Sequence, residues 1–299
     1  MSLLLDSFSK TRPMLWIEVA PPRGIAYKSL LTRLSALRDH VDAINLTDNA
    51  LAKVKMSALV LGGMIKARLG IPVVLNFSCR DRNLLALKSD LLGAAALSLD
   101  GVVAVTGDKI APGDHAEART VRDVDAFGLL RVIAELNRGD TGEGKRLLKT
   151  LPTLLAGAVA NPNRQIIERE FELLERKAKG GAHFVITQPV FDAAIGRAFA
   201  ARARSYNIKV MLGILPVKRE AMANYLKDRV KDLSSASGHF DRYAGLQEDE
   251  ARKMSIRESL QLMSELEGET AGFNIMSGGG PSLAIELALE FGKIRKRAR

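Results

Sequence analysis

A single cysteine, Cys79, stands in 299 residues, which excludes an internal disulfide framework and any paired-cysteine metal site. The four histidines, at positions 40, 115, 183 and 239, are isolated, and none shares metal-ligand spacing with carboxylates, so no metal is expected. Aromatic residues make up only 5% of the chain, which points to aliphatic layers between helices and a sheet. No run approaches the roughly 20 apolar residues of a membrane span. The first 20 residues lack the charged start, apolar middle and small-residue cleavage site of a signal peptide. A soluble, cytoplasmic protein is the expectation.

What is abundant is aliphatic and basic. Hydrophobic residues reach 47%, enough for a large core, and the formal charge is +10. Such a charge raises the question of nucleic acid. The excess is scattered through helical stretches beside acidic residues, and no aromatic-rich RNA-binding strand accompanies it. Part of it lies in a terminal run, Lys293, Arg295, Lys296, Arg297 and Arg299, which reads as a solvated tail from about 293. A basic surface equally suits an anionic cofactor or a polyglutamylated substrate, so neither nucleic acid nor membrane is expected as a partner.

The chain alternates short apolar runs with helical periodicity. The clearest run is Gly101-Val102-Val103-Ala104-Val105, uncharged and with three valines in five residues, which reads as a strand buried on both faces. It stops at Thr106-Gly107-Asp108, where a glycine frees the backbone and a carboxylate follows. Similar strands are expected at 15–19, 42–46, 71–77, 154–160, 182–186, 208–214 and 271–276. Helices are expected at 27–40, 55–69, 84–97, 124–137, 164–179, 192–205 and through 219–267, with a polar break around Ser234 to Gly238 and a last helix into the tail. The stretch 138–145, rich in glycine and charge, reads as an exposed loop. Eight strands alternating with helices imply βαβ units, and eight without a second domain favour a closed (β/α)₈ TIM barrel spanning 1–299.

In such a barrel the chemistry lies at the carboxyl ends of the strands. The residues collected there are Glu18, Thr47, Asn76, Cys79, Asp108, Asn161, Gln188 and Ser277. Glu18 interrupts an apolar strand; it is either a paired core residue or an acid facing the mouth, whose pKa burial would raise toward neutrality. Cys79 lies beside Arg80 and Arg82, which would lower a thiol pKa, but has no histidine partner. His183 reads as a packing residue within the sixth strand. Ser277-Gly278-Gly279-Gly280 is either a phosphate cradle or a turn with close backbone packing.

Eight motifs, in order and spacing, resemble the methylenetetrahydrofolate reductases. They are Glu18 with Pro21-Pro22, Thr47-Asp48-Asn49, Cys79-Arg80-Asp81-Arg82-Asn83, Thr106-Gly107-Asp108, Asn161-Pro162, Lys177 with Gly180-Gly181-Ala182, Thr187-Gln188-Pro189-Val190-Phe191-Asp192 and Gly213-Ile214-Leu215-Pro216. The likeness is strongest over 15–230 and is greatest to the branch that also occurs fused to homocysteine methyltransferase domains. The resemblance implies a (β/α)₈ barrel that reduces 5,10-methylenetetrahydrofolate to 5-methyltetrahydrofolate with a flavin, FAD rather than FMN, and NAD(P)H as donor. It makes Glu18 the acid that protonates folate N10, Asp108 the anion near flavin and pterin, and Gln188 a pterin contact. It sets Thr47, Asn76, Thr106, Gly107, Asp108, Asn161, Glu170, Arg176 and Lys177 against the flavin, with Arg176 and Lys177 suited to phosphate and Glu170 to ribose.

The likeness has gaps. Asn76, Thr106 and Glu170 replace a His, an Arg and an Asp of well-known members, Leu226 stands where some carry a Phe, and Ser277–Gly280 replaces a stretch holding a folate-pairing Arg. Three other readings of the same residues are a reductase subunit fed by a partner protein, an enzyme acting on another C1-carrying pterin, and a non-catalytic folate-binding subunit of a methyl-transfer complex. A homo-oligomer, or an electron-transfer or methyltransferase partner subunit, is compatible with each.

Overall fold

The computed structural model describes residues 4, 7, 8, 12–110, 113–142, 150–278 and 280–297. Eight parallel strands close into one barrel in sequence order: β1 (Met14–Val19), β2 (Ala43–Leu46), β3 (Val73–Ser78), β4 (Gly101–Val105), β5 (Leu155–Ala160), β6 (Phe184–Pro189), β7 (Lys209–Ile214) and β8 (Gly272–Ile275). Closure is made by β8 lying parallel to β1, with Trp16 opposite Asn274. The expected (β/α)₈ barrel is therefore the fold.

The helices are α1 (Tyr27–Ser35), α2 (Ala58–Leu69), α3 (Leu84–Ala96), α4 (Ala126–Asn137), α5 (Ile167–Lys179), α6 (Ala193–Arg204), α7 (Glu220–Arg229), α8 (Ser237–Asp241), α9 (Glu248–Glu265) and α10 (Ser282–Arg297). Their starts follow capping chemistry. Ser57 accepts from Val60 N, Asn83 from Ala86 N and Asp125 from Gly128 N, so α2 and α4 begin later than periodicity alone suggested. The first helix ends at Ser35 rather than 40 because the chain tightens into turns, with Leu37 N bonding Leu34 O and His40 N bonding Leu37 O. The polar break in the long helical region becomes a 3₁₀ segment, Lys231–Ala236.

Aliphatic side chains fill the layer between helices and sheet, among them Leu34, Leu61, Leu87, Leu129 and Leu212. Phe77, Phe199, Phe273 and Phe291 share that layer, while three aromatics form a plug inside the barrel. Trp16 and Phe184 meet edge-to-face at 5.1 Å, and Phe8 covers both at 6.0 and 5.8 Å, closing the amino end. Gly157 makes room for this plug, because a Cβ there would lie 2.3 Å from the Phe184 ring. A third cluster, around Leu226, Leu233, Phe240 and Tyr243, forms a cap of α7, the 3₁₀ segment and α8 above the carboxyl end.

Two expectations about the edges need correction. In the run from 293, α10 continues to Arg297 and Lys293 is exposed as expected, but Arg295 is largely shielded, facing Asp42 at 3.0 Å beside Arg12 at 2.6 Å, and Arg299 lies outside the described residues. Asp42 also accepts from Leu15 N at 2.7 Å, so this ion cluster fastens both ends of the described chain to β1. His183 is exposed and precedes β6, which starts and ends later than expected. Residues 143–145 of the expected loop fall outside the described residues.

Candidate active site at the carboxyl end of the barrel

Every second strand residue points inward, so each strand delivers its last inward side chain to the mouth. Register pairs Glu18 with Asn45 and Val103 with Asn76. Glu18, Asn45, Thr47, Asn76, Thr106, Gly107, Asp108, Thr187, Gln188 and Ser277 line one cavity of about 770 Å³. Eight of the residues singled out from sequence (Glu18, Thr47, Asn76, Thr106, Gly107, Asp108, Gln188 and Ser277) are thereby brought together.

Glu18 is half-buried on β1, within the barrel wall. Burial raises its pKa above the usual 4.5, and contacts from Ser277 N and Oγ, both at 3.4 Å, oppose that only weakly. The carboxyl is thus biased toward its protonated form while still reachable from the cavity. Thr47 Oγ1 and Asn76 Oδ1, buried in the same wall, have no hydrogen-bond partner among the described residues.

Asp108 sits exposed just beyond β4. Gly107 takes φ 85°, and a Cβ there would come within 2.3 Å of Ser78 Oγ and 2.7 Å of Arg80 Cβ, so only glycine brings the chain around this corner. The Asp108 carboxylate accepts from Leu51 N at 2.6 Å. Buried Arg80 ties the same loops together, donating to Asp108 O and Asn49 O at 3.3 Å each and to Asp81 at 2.6 Å.

The arginines flanking Cys79 do not activate it. Arg80 faces Asp81, and Arg82 faces Asp48 at 2.7 Å and Asp90 at 2.9 Å. Cys79 itself is fully buried, and burial, with Asp125 adding to it, pushes the thiol up to about 11. Burial outweighs the lowering that Arg122 and Arg82 still exert, so the expected shift is reversed. Ser277–Gly280 is likewise packed as a turn: Ser277 faces Glu18, and a Cβ on Gly278 would meet Met222 at 2.9 Å. Gly279 lies outside the described residues.

Gln188 is exposed at the end of β6 and lines both this cavity and a neighbouring one of about 430 Å³. The second cavity holds Asn161, Arg164, Glu170, Lys177 and Asp232 against apolar Leu173, Leu226 and Leu233. Its polar groups are already engaged. Buried Glu170 accepts from Arg164 at 2.9 Å and Lys177 at 3.2 Å, and Asn161 donates to Asp232 at 2.6 Å. Burial lowers the Lys177 pKa, against the pull of Glu170. Arg176 lines neither cavity; it is exposed and stacks over Phe127 at 4.2 Å. The sequence reading overlooked Arg23, Leu51, Lys53 and Lys55 of the first cavity and Asp232 of the second, although Lys53-Val54-Lys55 in the loop that follows β2 was a visible signal.

A further cavity of about 260 Å³ lies outside the barrel, under α9. His239 lies there between Phe191, Phe240 and Tyr243. Burial and then Arg242 push its pKa down to about 4, although Glu258 lies 3.7 Å away. Among the described residues no group of three or more His, Cys, Asp or Glu is placed to hold a metal, and no helix is long and apolar enough to cross a membrane.

Solved structures of similar shape have low identity, and their likeness is one of fold. An uncharacterized protein from Clostridium thermocellum, described as binding two copies of 5-methyl-5,6,7,8-tetrahydrofolic acid, superposes with a TM-score of 0.62 at 16% identity, covering 100% of both chains. A Pyrococcus furiosus tryptophan synthase structure gives 0.52 at 14%, covering 95% of this chain and 96% of its own. No curated protein matches the sequence. The family model described as methylenetetrahydrofolate reductase matches residues 4–271, which takes in all eight motifs and the strands through β7. The chain belongs to the methylenetetrahydrofolate reductase family.

Proposed function

We propose that this chain reduces 5,10-methylenetetrahydrofolate to 5-methyltetrahydrofolate, with a flavin as hydride carrier and NAD(P)H as donor, within a single barrel domain spanning 1–299. Family membership supports a folate-acting reductase. The folate bound by the Clostridium thermocellum barrel supports a folate site in this one. The observation that carries the reading is Glu18, an acid with a raised pKa in a cavity of about 770 Å³ shared with Asp108 and Gln188.

In this reading protonated Glu18 donates to N10 of the substrate, and cleavage of the bond from N10 to the methylene carbon leaves a cationic iminium at N5. The Asp108 carboxylate lowers the energy of that cation. Gln188, with one donor and one acceptor, orients the pterin. The chemistry that a reduced flavin supplies when bound is hydride transfer to the iminium carbon. Glu18 then recovers its proton from water entering the mouth. The acid step weakens as pH rises through the Glu18 pKa, which lies above 4.5.

The fit of a flavin is good at one end and poor at the other. Thr47 and Asn76 carry unpartnered buried oxygens on the cavity wall, suited to the polar edge of a ring. Thr106, Gly107 and Asp108 line the same cavity, and Asn161, Arg164 and Lys177 would hold the sugar and phosphate end. Arg164 and Lys177, however, both already pair with Glu170. That partial neutralisation of two cations by one carboxylate favours the readings with weak flavin affinity, a reductase fed by a partner protein or a folate-binding subunit.

The visible spectrum of purified protein, before and after anaerobic NADH or NADPH, separates these readings. Flavin bands that bleach with a nucleotide support the reductase. Flavin that stays oxidised supports the partner-fed reading, and failure to take up either FAD or FMN supports the binding subunit.

A further inference from the structure

The cavity of about 260 Å³ under α9 stands outside the barrel and takes no part in the chemistry above. Its floor is Val190, Ile214 and Leu215, all buried. One wall comes from α8 and the turn after it, through His239, Arg242 and Tyr243. The facing wall is α9, through Ser255, Glu258 and Leu262.

Glu258 is the anomaly in this cavity. Its Oε1 faces Arg242 at 2.7 Å, but Oε2 is buried with no hydrogen-bond partner among the described residues. His239 Nδ1 lies 3.7 Å from Oε2 and faces Arg242 at 3.2 Å. A guanidinium only donates, so Nδ1 accepts there and has no proton to offer Oε2. Tyr243 flanks Ser255 and the same carboxyl without bonding to Oε2. Burial raises the Glu258 pKa, against the pull of Arg242 and Arg257. A carboxylate oxygen withdrawn from water in this way is costly until a donor reaches it.

At the rim the opposite charge is free. Arg257 is exposed and has no carboxylate within 4.0 Å among the described residues. The neighbouring Glu265 already accepts from Gln261 at 2.9 Å. The cavity thus offers one free acceptor at depth, one free cation at the rim, and apolar Phe191, Ile214, Leu215 and Leu262 beside them. That is the complement of a dipolar ion with an apolar side chain. An amine alone would leave Arg257 unused, and a carboxylic acid would be repelled by Glu258.

We propose that this cavity binds a free α-amino acid with an apolar side chain, as an effector rather than a substrate. Its ammonium donates to Glu258 Oε2 and its carboxylate pairs with Arg257. Leu215 borders this cavity and both cavities at the mouth, and Val190 and Phe191 follow Gln188 within three residues. The occupant bridges α8 of the cap to α9, and Leu226 and Leu233 of the same cap line the cavity beside Gln188. Occupancy therefore holds the cap and the end of β6 in place, and binding at the mouth is coupled to it. The site stands without the folate reading; only this coupling rests on that reading.

The test is calorimetric titration of L-leucine and L-phenylalanine into the full chain, beside isopentylamine and 4-methylpentanoate. These two analogues lack the carboxylate and the ammonium of leucine, respectively. At least one amino acid should bind with a dissociation constant of roughly 1 mM or lower. Each analogue should bind about tenfold more weakly than leucine. Arg257→Met, on the exposed rim, should weaken leucine about tenfold and leave isopentylamine unchanged, whereas Glu258→Gln should weaken both. Saturation with the amino acid should tighten 5-methyltetrahydrofolate binding by about fivefold. The site is overturned by no binding of either amino acid up to roughly 10 mM, by an amine that binds as tightly as leucine, or by affinity that survives in both variants. Amino-acid binding with unchanged folate affinity overturns the effector role. A protein that binds the amino acid but no folate upholds the site and contradicts the folate reading instead.

Discussion

At the amino end of the barrel interior, Trp16 of β1 and Phe184 of β6 press together under Phe8, with Met14, Val74, Val103 and Met211 filling the gaps around them. Two residues further along β1 stands Glu18, and four further along β6 stands Gln188. The same strands that end in a packed plug on one side deliver carboxyl and amide groups on the other. Unpartnered buried polar atoms gather toward the mouth, although Trp16 Nε1 within the plug is one of them as well. Asn45 and Asn274 meet at 3.5 Å just below the mouth, and Asn45 Oδ1, Asn274 Nδ2, Thr47 Oγ1 and Asn76 Oδ1 have no partner among the described residues. An unpartnered buried polar group costs about 1–3 kcal/mol. The amino end therefore stabilises the barrel, while the carboxyl end is held in an unfavourable state by it. Positions at the two ends should respond to substitution in opposite ways.

The largest effect expected is at the plug. Phe184→Ala should lower the unfolding free energy by about 3–5 kcal/mol in urea denaturation, through lost burial and a cavity. Folate turnover per folded molecule should change little, and a large loss of turnover would break the separation of the two ends. Next comes Asp108→Asn, which retains an acceptor for Leu51 N but removes the charge. It should cut folate turnover by roughly 10²-fold with a melting temperature near that of the wild type.

A smaller effect sharpens the packing side. Gly157→Ala drives a methyl into the Phe184 ring and should cost about 2 kcal/mol, and Phe184→Leu in the same chain should recover part of it. Additive losses would place the strain elsewhere. The smallest effect belongs to Glu18 as a stability residue. Its folded pKa is raised above 4.5, so above pH 4.5 the unfolded chain releases the proton more readily than the folded one, and stability falls as pH rises through that window. Glu18→Gln removes this dependence and should stabilise the protein near pH 7 by about 1 kcal/mol, a few degrees in melting temperature. At pH 4 the two proteins should melt together.

Much of the fold was legible because buried parallel strands are written as short aliphatic runs with turn residues at their ends. All eight strands appear, in order. Their edges depended on contacts that no local pattern carries. Strand β6 was expected to stop at 186, where the apolar run gives way to Thr187-Gln188-Pro189. It continues because Thr187 Oγ1 accepts from Gly213 N at 2.9 Å while the register shifts between Ile186 and Pro189. That extension is what brings Gln188 to the mouth. The arginines beside Cys79 announced positive charge but not its direction, which their carboxylate partners decide. Lys53 and Lys55 were visible as letters, but the left-handed turn that sets them on the cavity comes from Asp108, Asp114 and Gly113, about sixty residues away.

The most direct test of the central claim separates the two half-reactions in the Glu18→Gln flavoprotein under anaerobic conditions. Reduction of the flavin by NAD(P)H should proceed within about threefold of the wild-type rate, while its reoxidation by 5,10-methylenetetrahydrofolate should slow by 10²-fold or more, roughly what a positioned general acid contributes. Reoxidation at the wild-type rate, or equal loss of both half-reactions, would contradict the assignment of Glu18 as the acid that opens the substrate ring.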